Sequence, residues 1–203
     1  MGHAPWWLPC GVYGALAAVG GVLSLHQRGS ILAASAGPRF SSDARLSLLV
    51  GMLLALLLAL LTSISTRWLV ARTRWARALC RALRGAVLGA SAPRLQWLAV
   101  LGALAEEIFF RAALVPMVGV WASALVFGAL HFSGRATYLS WMVWATVMGV
   151  LLGWLFVLSG SLLPAIVAHA LINHENMRFL ARCDPAPSEL AQLTAHDPRP
   201  RRL

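Results

Sequence analysis

From Leu46 to Ile64 the chain is almost pure leucine and alanine. A helix needs about 20 apolar residues to cross the hydrocarbon core of a bilayer, and this run has that length. No water is available there to satisfy backbone N–H and C=O groups, so such a run must close its hydrogen bonds within itself as a helix. Five further stretches have the same character, at about Pro5 to Leu25, Leu95 to Val115, Met117 to Phe132, Tyr138 to Leu158 and Leu162 to Leu180. The composition agrees: 59% of the 203 residues are hydrophobic and the mean hydropathy is +0.72. Soluble domains run at about 45–50% apolar. The expected fold is therefore all-α, a polytopic membrane helical bundle of about six transmembrane helices. It forms a single integral-membrane domain over residues 1–182, followed by a proline-rich, polar and disordered tail over 183–203.

The net charge is +10, and every basic residue is arginine. A balance of this kind can mark a nucleic-acid binder. In so apolar a chain, arginines that flank spans and face anionic lipid account for it better. The expected partner is the bilayer, with no nucleic acid. Arg67, Arg72, Arg74, Arg77, Arg81, Arg84 and Arg94 fall between the second and third spans, mixed with Trp68, Trp75, Leu79 and Leu83. That mixture reads as an interfacial amphipathic helix without a clean cap. With the N-terminus in the cytoplasm, thirteen arginines lie inside and three outside, while Arg111 lies within the membrane. The asymmetry places both termini in the cytoplasm, in the inner membrane of a bacterial cell. Cys10, Cys80 and Cys183 are far apart in sequence and form no CxxC pair, so neither a disulfide framework nor a thiolate zinc site is expected. No basic stretch precedes the first span, which reads as a retained anchor rather than a cleaved signal.

The third span carries Glu106-Glu107-Ile108-Phe109-Phe110-Arg111. Each charge at membrane depth costs on the order of 3 kcal/mol on insertion scales. On a helix, residues four apart stack on one face and neighbours are turned by about 100°. Glu107 and Arg111 are thus expected to form a buried ion pair, with Glu106 turned elsewhere and without a partner on its own helix. Desolvation favours the neutral form of a carboxyl group, which suits general acid–base work near neutral pH. The fourth span pairs Phe127 with His131 on one face, and the sixth pairs His169 with Asn173. Three apolar helices each carrying such a pair direct them to the bundle interior, because lipid is the costlier alternative.

Glu-Glu-x-x-x-Arg, Phe-x-x-x-His and His-x-x-x-Asn, in this order on successive spans, resemble the motifs of the CPBP (Abi) family. These are the CAAX protease and bacteriocin-processing intramembrane proteases related to Rce1. The resemblance covers roughly Leu95 to Leu180. It implies an α-helical intramembrane bundle and a glutamate-dependent endopeptidase acting on a membrane-anchored protein or peptide. The cleaved piece would be a C-terminal segment, a sorting signal or part of a bacteriocin precursor. By motif, Glu106 corresponds to the catalytic glutamate, which activates a water together with His131. His169 and Asn173 then stabilise the oxyanion, and Glu107, Arg111 and Phe127 support the site. Ala112 stands where many relatives have glycine.

The chemistry needs a base for water and donors aimed at the developing oxyanion, each donor contributing about 10²–10³ in rate. No cofactor or metal is expected. A zinc-dependent version of the same protease is an alternative, since Glu106, His131 and His169 are suitable ligand types, although the HExxH spacing is lacking. A non-enzymatic reading is a second alternative, as a small transporter or as an immunity or partner-binding protein. Glu106 lies about 16 Å along its helix, whereas His131 lies near the cytoplasmic end of its own, so the two meet only by tilting or across a water-filled cavity. His174 and Glu175 read as the polar end of the last span, with Arg178. Trp6, Trp7, Trp141, Trp144 and Trp154 read as interface belts or packing. The Gly149/Gly153 pair, and Gly20 with Gly21, read as points of close helix contact.

Overall fold

A computed structural model describes residues 7–33 and 39–183. Trp6 and the tail beyond Cys183 lie outside the described residues, and the side chain of Trp7 is not described. Seven α-helices follow one another: α1 Trp7–Arg28, α2 Ala44–Arg72, α3 Arg74–Val87, α4 Ala92–Glu107, α5 Val115–Ala129, α6 Leu139–Ser159 and α7 Leu163–Arg182. A π-helical segment, Ile108–Leu114, joins α4 to α5. Among the described residues the only β pairing is an isolated bridge between Ala33 and Ser161. The chain is thus the all-helical membrane bundle its sequence predicts. Among the described residues four segments are long and apolar enough to cross a membrane, Leu8–Arg28, Ala44–Arg72, Ala92–Ala129 and Ala136–Ser159.

The leucine-rich helix shows how the bundle is built. On α2 the buried positions are Ser47, Gly51, Ala55, Ala59, Thr62 and Ser63. Leu49, Leu53, Leu56, Leu57, Leu60 and Leu61 are exposed. Leucine gains nothing by leaving lipid, so the small residues, roughly four apart, take the inside and let the backbones approach. The same logic brings α5 against α6. A Cβ on Gly149 would lie 3.0 Å from Ala124 Cα, and one on Gly153 would lie 2.7 Å from Val120 Cγ1. Both glycines are close-contact points, as their spacing predicts. In α1, Gly20 takes that part, since its Cβ would lie 2.7 Å from Phe109 Cα, while Gly21 meets nothing nearer than 3.7 Å.

Three local features differ from the expectation. The break near the junction of the third and fourth spans falls at Gly119, inside the expected fourth span. Gly119 has φ 81 and ψ 168, a conformation open to glycine, whereas Pro116 sits in the first turn of α5. The acidic motif runs out of an α-helix into π winding, which the α-helical spacing did not foresee. The amphipathic helix has a cap after all, because Thr73 Oγ1 accepts from Ala76 N at 3.3 Å.

α3 buries Ala76, Cys80 and Val87 and packs against α2, α6 and α7. It keeps Trp75 exposed. The cysteines are free, yet Cys80 and Cys183 are neighbours in space, joining α3 to the end of α7. Burial, and next the adjacent Cys183 thiol, push the Cys80 thiol up to about 11. Only the thiolate is alkylated. Maleimide at pH 7.5 is therefore expected to label Cys80 at least about 10-fold more slowly than an unperturbed cysteine. The rate should climb as pH rises toward 11, and single-cysteine variants read by mass spectrometry check it.

Candidate active site

Glu107 ends α4 and Arg111 lies in the π segment, four residues on. The expected ion pair is present, with Arg111 Nη1 to Glu107 Oε1 at 2.9 Å, and both side chains are almost wholly buried. Arg111 also lies over the Phe127 ring, 4.6 Å from its centroid, and 5.9 Å from that of Phe110. A desolvated guanidinium gains about 2 kcal/mol or more from such ring faces, so one carboxylate and two aromatic rings together hold the charge.

Glu107 has a second partner that helix spacing within one span could not reveal. His169 on α7 donates from Nδ1 to the same Oε1 at 2.7 Å. An ionised carboxylate oxygen can only accept, and this fixes the hydrogen on Nδ1. His169 Nε2 is then the ring nitrogen left to the site, and it lies 3.7 Å from Glu106 Oε2. Glu106 keeps 16% of its side chain exposed, against none for Glu107. The two adjacent glutamates therefore differ as expected, one sequestered and one partly open. They are nonetheless bridged by a single imidazole.

No hydrogen bond or ion pair joins His131 to Glu106 among the described residues; the histidine beside Glu106 is His169. His131 donates from Nδ1 to Phe127 O at 2.7 Å. Its ring meets Phe127 at 4.6 Å and the edge of Trp141 at 4.9 Å, centroid to centroid. Phe127 in turn meets His169 edge-on at 6.0 Å. The Phe-x-x-x-His motif thus places one ring at the meeting point of Arg111, His131 and His169, and Phe127 separates the two histidines.

Asn173 is one turn beyond His169 and lines a cavity of about 280 Å³ between α2, α3, α6 and α7. Trp141, Trp144, Leu83 and Met177 line it as well. The amphipathic helix therefore walls an apolar space that ends at a site residue. Trp141 and Trp144, read from sequence as belt or packing, face this space. Glu175 pairs with Arg67 at 3.0 Å and with Arg178 at 3.3 Å, tying the ends of α2 and α7. Tyr13 went unnoticed in the sequence. Gly102, one turn before Glu106, leaves room for its ring, and a Cβ there would lie 3.2 Å from the Tyr13 oxygen. A glycine four residues before the partly open Glu106 was the available signal. Among the described residues no three His, Cys, Asp or Glu side chains gather closely enough to hold a metal ion.

Residues 88–174 match the family model described as type II CAAX prenyl endopeptidase Rce1-like. YpbD of Bacillus subtilis (strain 168) is 35% identical over 83 residues, a match covering 41% of this chain and 43% of YpbD. The chain therefore spans less than half the length of this curated relative. No solved structure matches the chain. The matched segment carries Glu106, Glu107, Arg111, Phe127, His131, His169 and Asn173, and over residues 88–174 the chain is similar to the Rce1-like family.

Proposed function

We propose that the protein is an intramembrane endopeptidase of glutamate type that hydrolyses a peptide bond in a membrane-associated protein or peptide. The observation carrying this reading is the buried series Arg111–Glu107–His169–Glu106, in which a fully sequestered ion pair orients an imidazole toward a partly open carboxylate. Glu106 takes a proton from a water lying toward His169 Nε2, and the hydroxide attacks the scissile carbonyl. Asn173 presents its amide N–H to the oxyanion, while His169 Nε2 accepts from the attacking water. Glu106 then returns the proton to the leaving amine. His131, with Nδ1 committed to the backbone, packs on the Phe127 ring that in turn meets His169 edge-on. The cavity at Asn173 offers an apolar approach for the substrate from the arginine-rich end. That end faces the cytoplasm of a bacterial cell by the distribution of arginines.

The test is a comparison of the membrane and secreted proteomes of cells carrying the wild type and Glu106→Gln. A protein that keeps its terminal segment only in the variant identifies the substrate; identical proteomes and no cleavage of any candidate by purified protein would sink the reading. The mechanism uses no metal. Cleavage by protein dialysed against chelator and shown metal-free should stay within about 2-fold of the untreated rate, since no step depends on a Lewis acid. Loss on chelation and recovery with zinc would replace Glu106 the base with Glu106 the ligand.

A further inference from the structure

Arg28 closes α1, outside the segment matched to the family, and the proposed mechanism does not use it. Its guanidinium is nevertheless committed in several directions. Nη2 donates to Ser24 Oγ at 2.7 Å and to the backbone carbonyl of Ala112 at 2.6 Å. Nη1 donates to the carbonyl of Ala33. The carbon of the group stands 5.8 Å from the centroid of the Phe156 ring. The Ala112 bond spans 84 residues of sequence and ends in the π segment, one residue after Arg111.

Ala112 needs an outside donor for a reason written in the sequence. In α winding its carbonyl would bond the N–H of residue 116. That residue is Pro116, which has no N–H and whose ring crowds the carbonyl four residues back. Winding is π over Ile108–Leu114, and Ala112 is wholly buried in an apolar environment. A buried carbonyl without a donor is costly. The adjoining turn is held in a related way, with Ser123 Oγ donating to Phe110 O at 2.9 Å. Gly20 lets the α1 backbone lie against Phe109, which brings Arg28 within reach.

We propose that Arg28 is a positioning residue of the active site, supplying from α1 the hydrogen bond that Pro116 withholds and so fixing the π turn that aims Arg111 and both glutamates at His169. The proposal rests on the peptidase reading for its effect on turnover, but its structural half can be measured apart from activity. The partnership with Pro116 makes it testable as a double-mutant cycle in the full-length protein in nanodiscs. Misplacement by about 1 Å can cost on the order of 10² in rate. Arg28→Met is accordingly expected to lower kcat about 10-fold or more while KM stays within about 2-fold. Arg28→Lys, which keeps a charged donor, should recover most of that loss. Pro116→Ala restores a backbone N–H opposite Ala112, so in that background Arg28→Met should cost under about 3-fold. Hydrogen exchange of the amides over 108–118 should accelerate about 10-fold in Arg28→Met and much less when Pro116→Ala is also present.

Equal kcat losses in both backgrounds, or unchanged exchange over 108–118 in Arg28→Met, would overturn the proposal. If Glu106→Gln retained cleavage, the peptidase reading would fail, and the exchange cycle would still decide whether Arg28 and Pro116 act on the same carbonyl.

Discussion

Glu106→Gln is expected to abolish peptide cleavage, lowering kcat by about 10³-fold or more, with little change in stability. The size follows from the role. A carboxamide is nearly the same shape as a carboxylate but cannot take a proton from water, so the base is lost while the fold is kept. The small effect on stability follows from the contacts. Among the described residues Glu106 makes no hydrogen bond, His169 Nε2 lies 3.7 Å from it, and part of its side chain is open. Replacing it strands no partner. Thermal unfolding in detergent should therefore stay within a few degrees of the wild type, and peptide cleavage in proteoliposomes should fall to background. Surviving cleavage would remove Glu106 from the reaction. Lost cleavage with a collapsed fold would show that Glu106 shares the structural duty here given to Glu107.

The division between the two glutamates was legible in the sequence because it is a local property. Glu107 and Arg111 stand four residues apart, and that spacing brings them together even though the helix changes winding between them. The spans were legible for a similar reason, since composition alone makes Leu46 to Ile64 a membrane helix. Which face of α2 turns inward follows from small residues recurring along the leucine run. What stayed hidden depends on contacts between helices. Nothing in a single span shows that His169, and not His131, sits beside Glu106, because that is set by how α7 leans on α4. Phe127 looked like a supporting residue and is the ring on which Arg111, His131 and His169 converge. Cys80 and Cys183, a hundred residues apart, come together because α3 folds back over the end of α7. The π segment was half legible: Pro116 announces a disturbed helix but not the winding it adopts. The break comes three residues later at Gly119, the position that can adopt positive φ.

Glu107→Gln is expected to destabilise the protein by about 3–5 kcal/mol, the typical result of removing one partner of a buried ion pair. Arg111 has 1% of its side chain exposed, so no water can replace the lost carboxylate, and two aromatic rings alone must hold a full positive charge. At a few degrees per kcal/mol for a chain of this size, the melting temperature should drop by about 10 °C. Removing both charges gives a sharper outcome. Glu107→Gln with Arg111→Met leaves no unpaired charge in the apolar interior, and buried pairs replaced by well-packed neutral residues are often close to neutral in stability. The double variant should therefore recover most of the lost melting temperature. It should not recover turnover, because Glu107 also accepts from His169 Nδ1 at 2.7 Å, and a neutral amide is a weaker and less selective anchor for that ring. The expected pattern is restored folding with kcat still at least about 10-fold below wild type. A Glu107→Gln protein as stable as wild type would show that Arg111 is held without its carboxylate. Full activity in the double variant would show that the ion pair only builds the helix and that His169 needs no anion behind it.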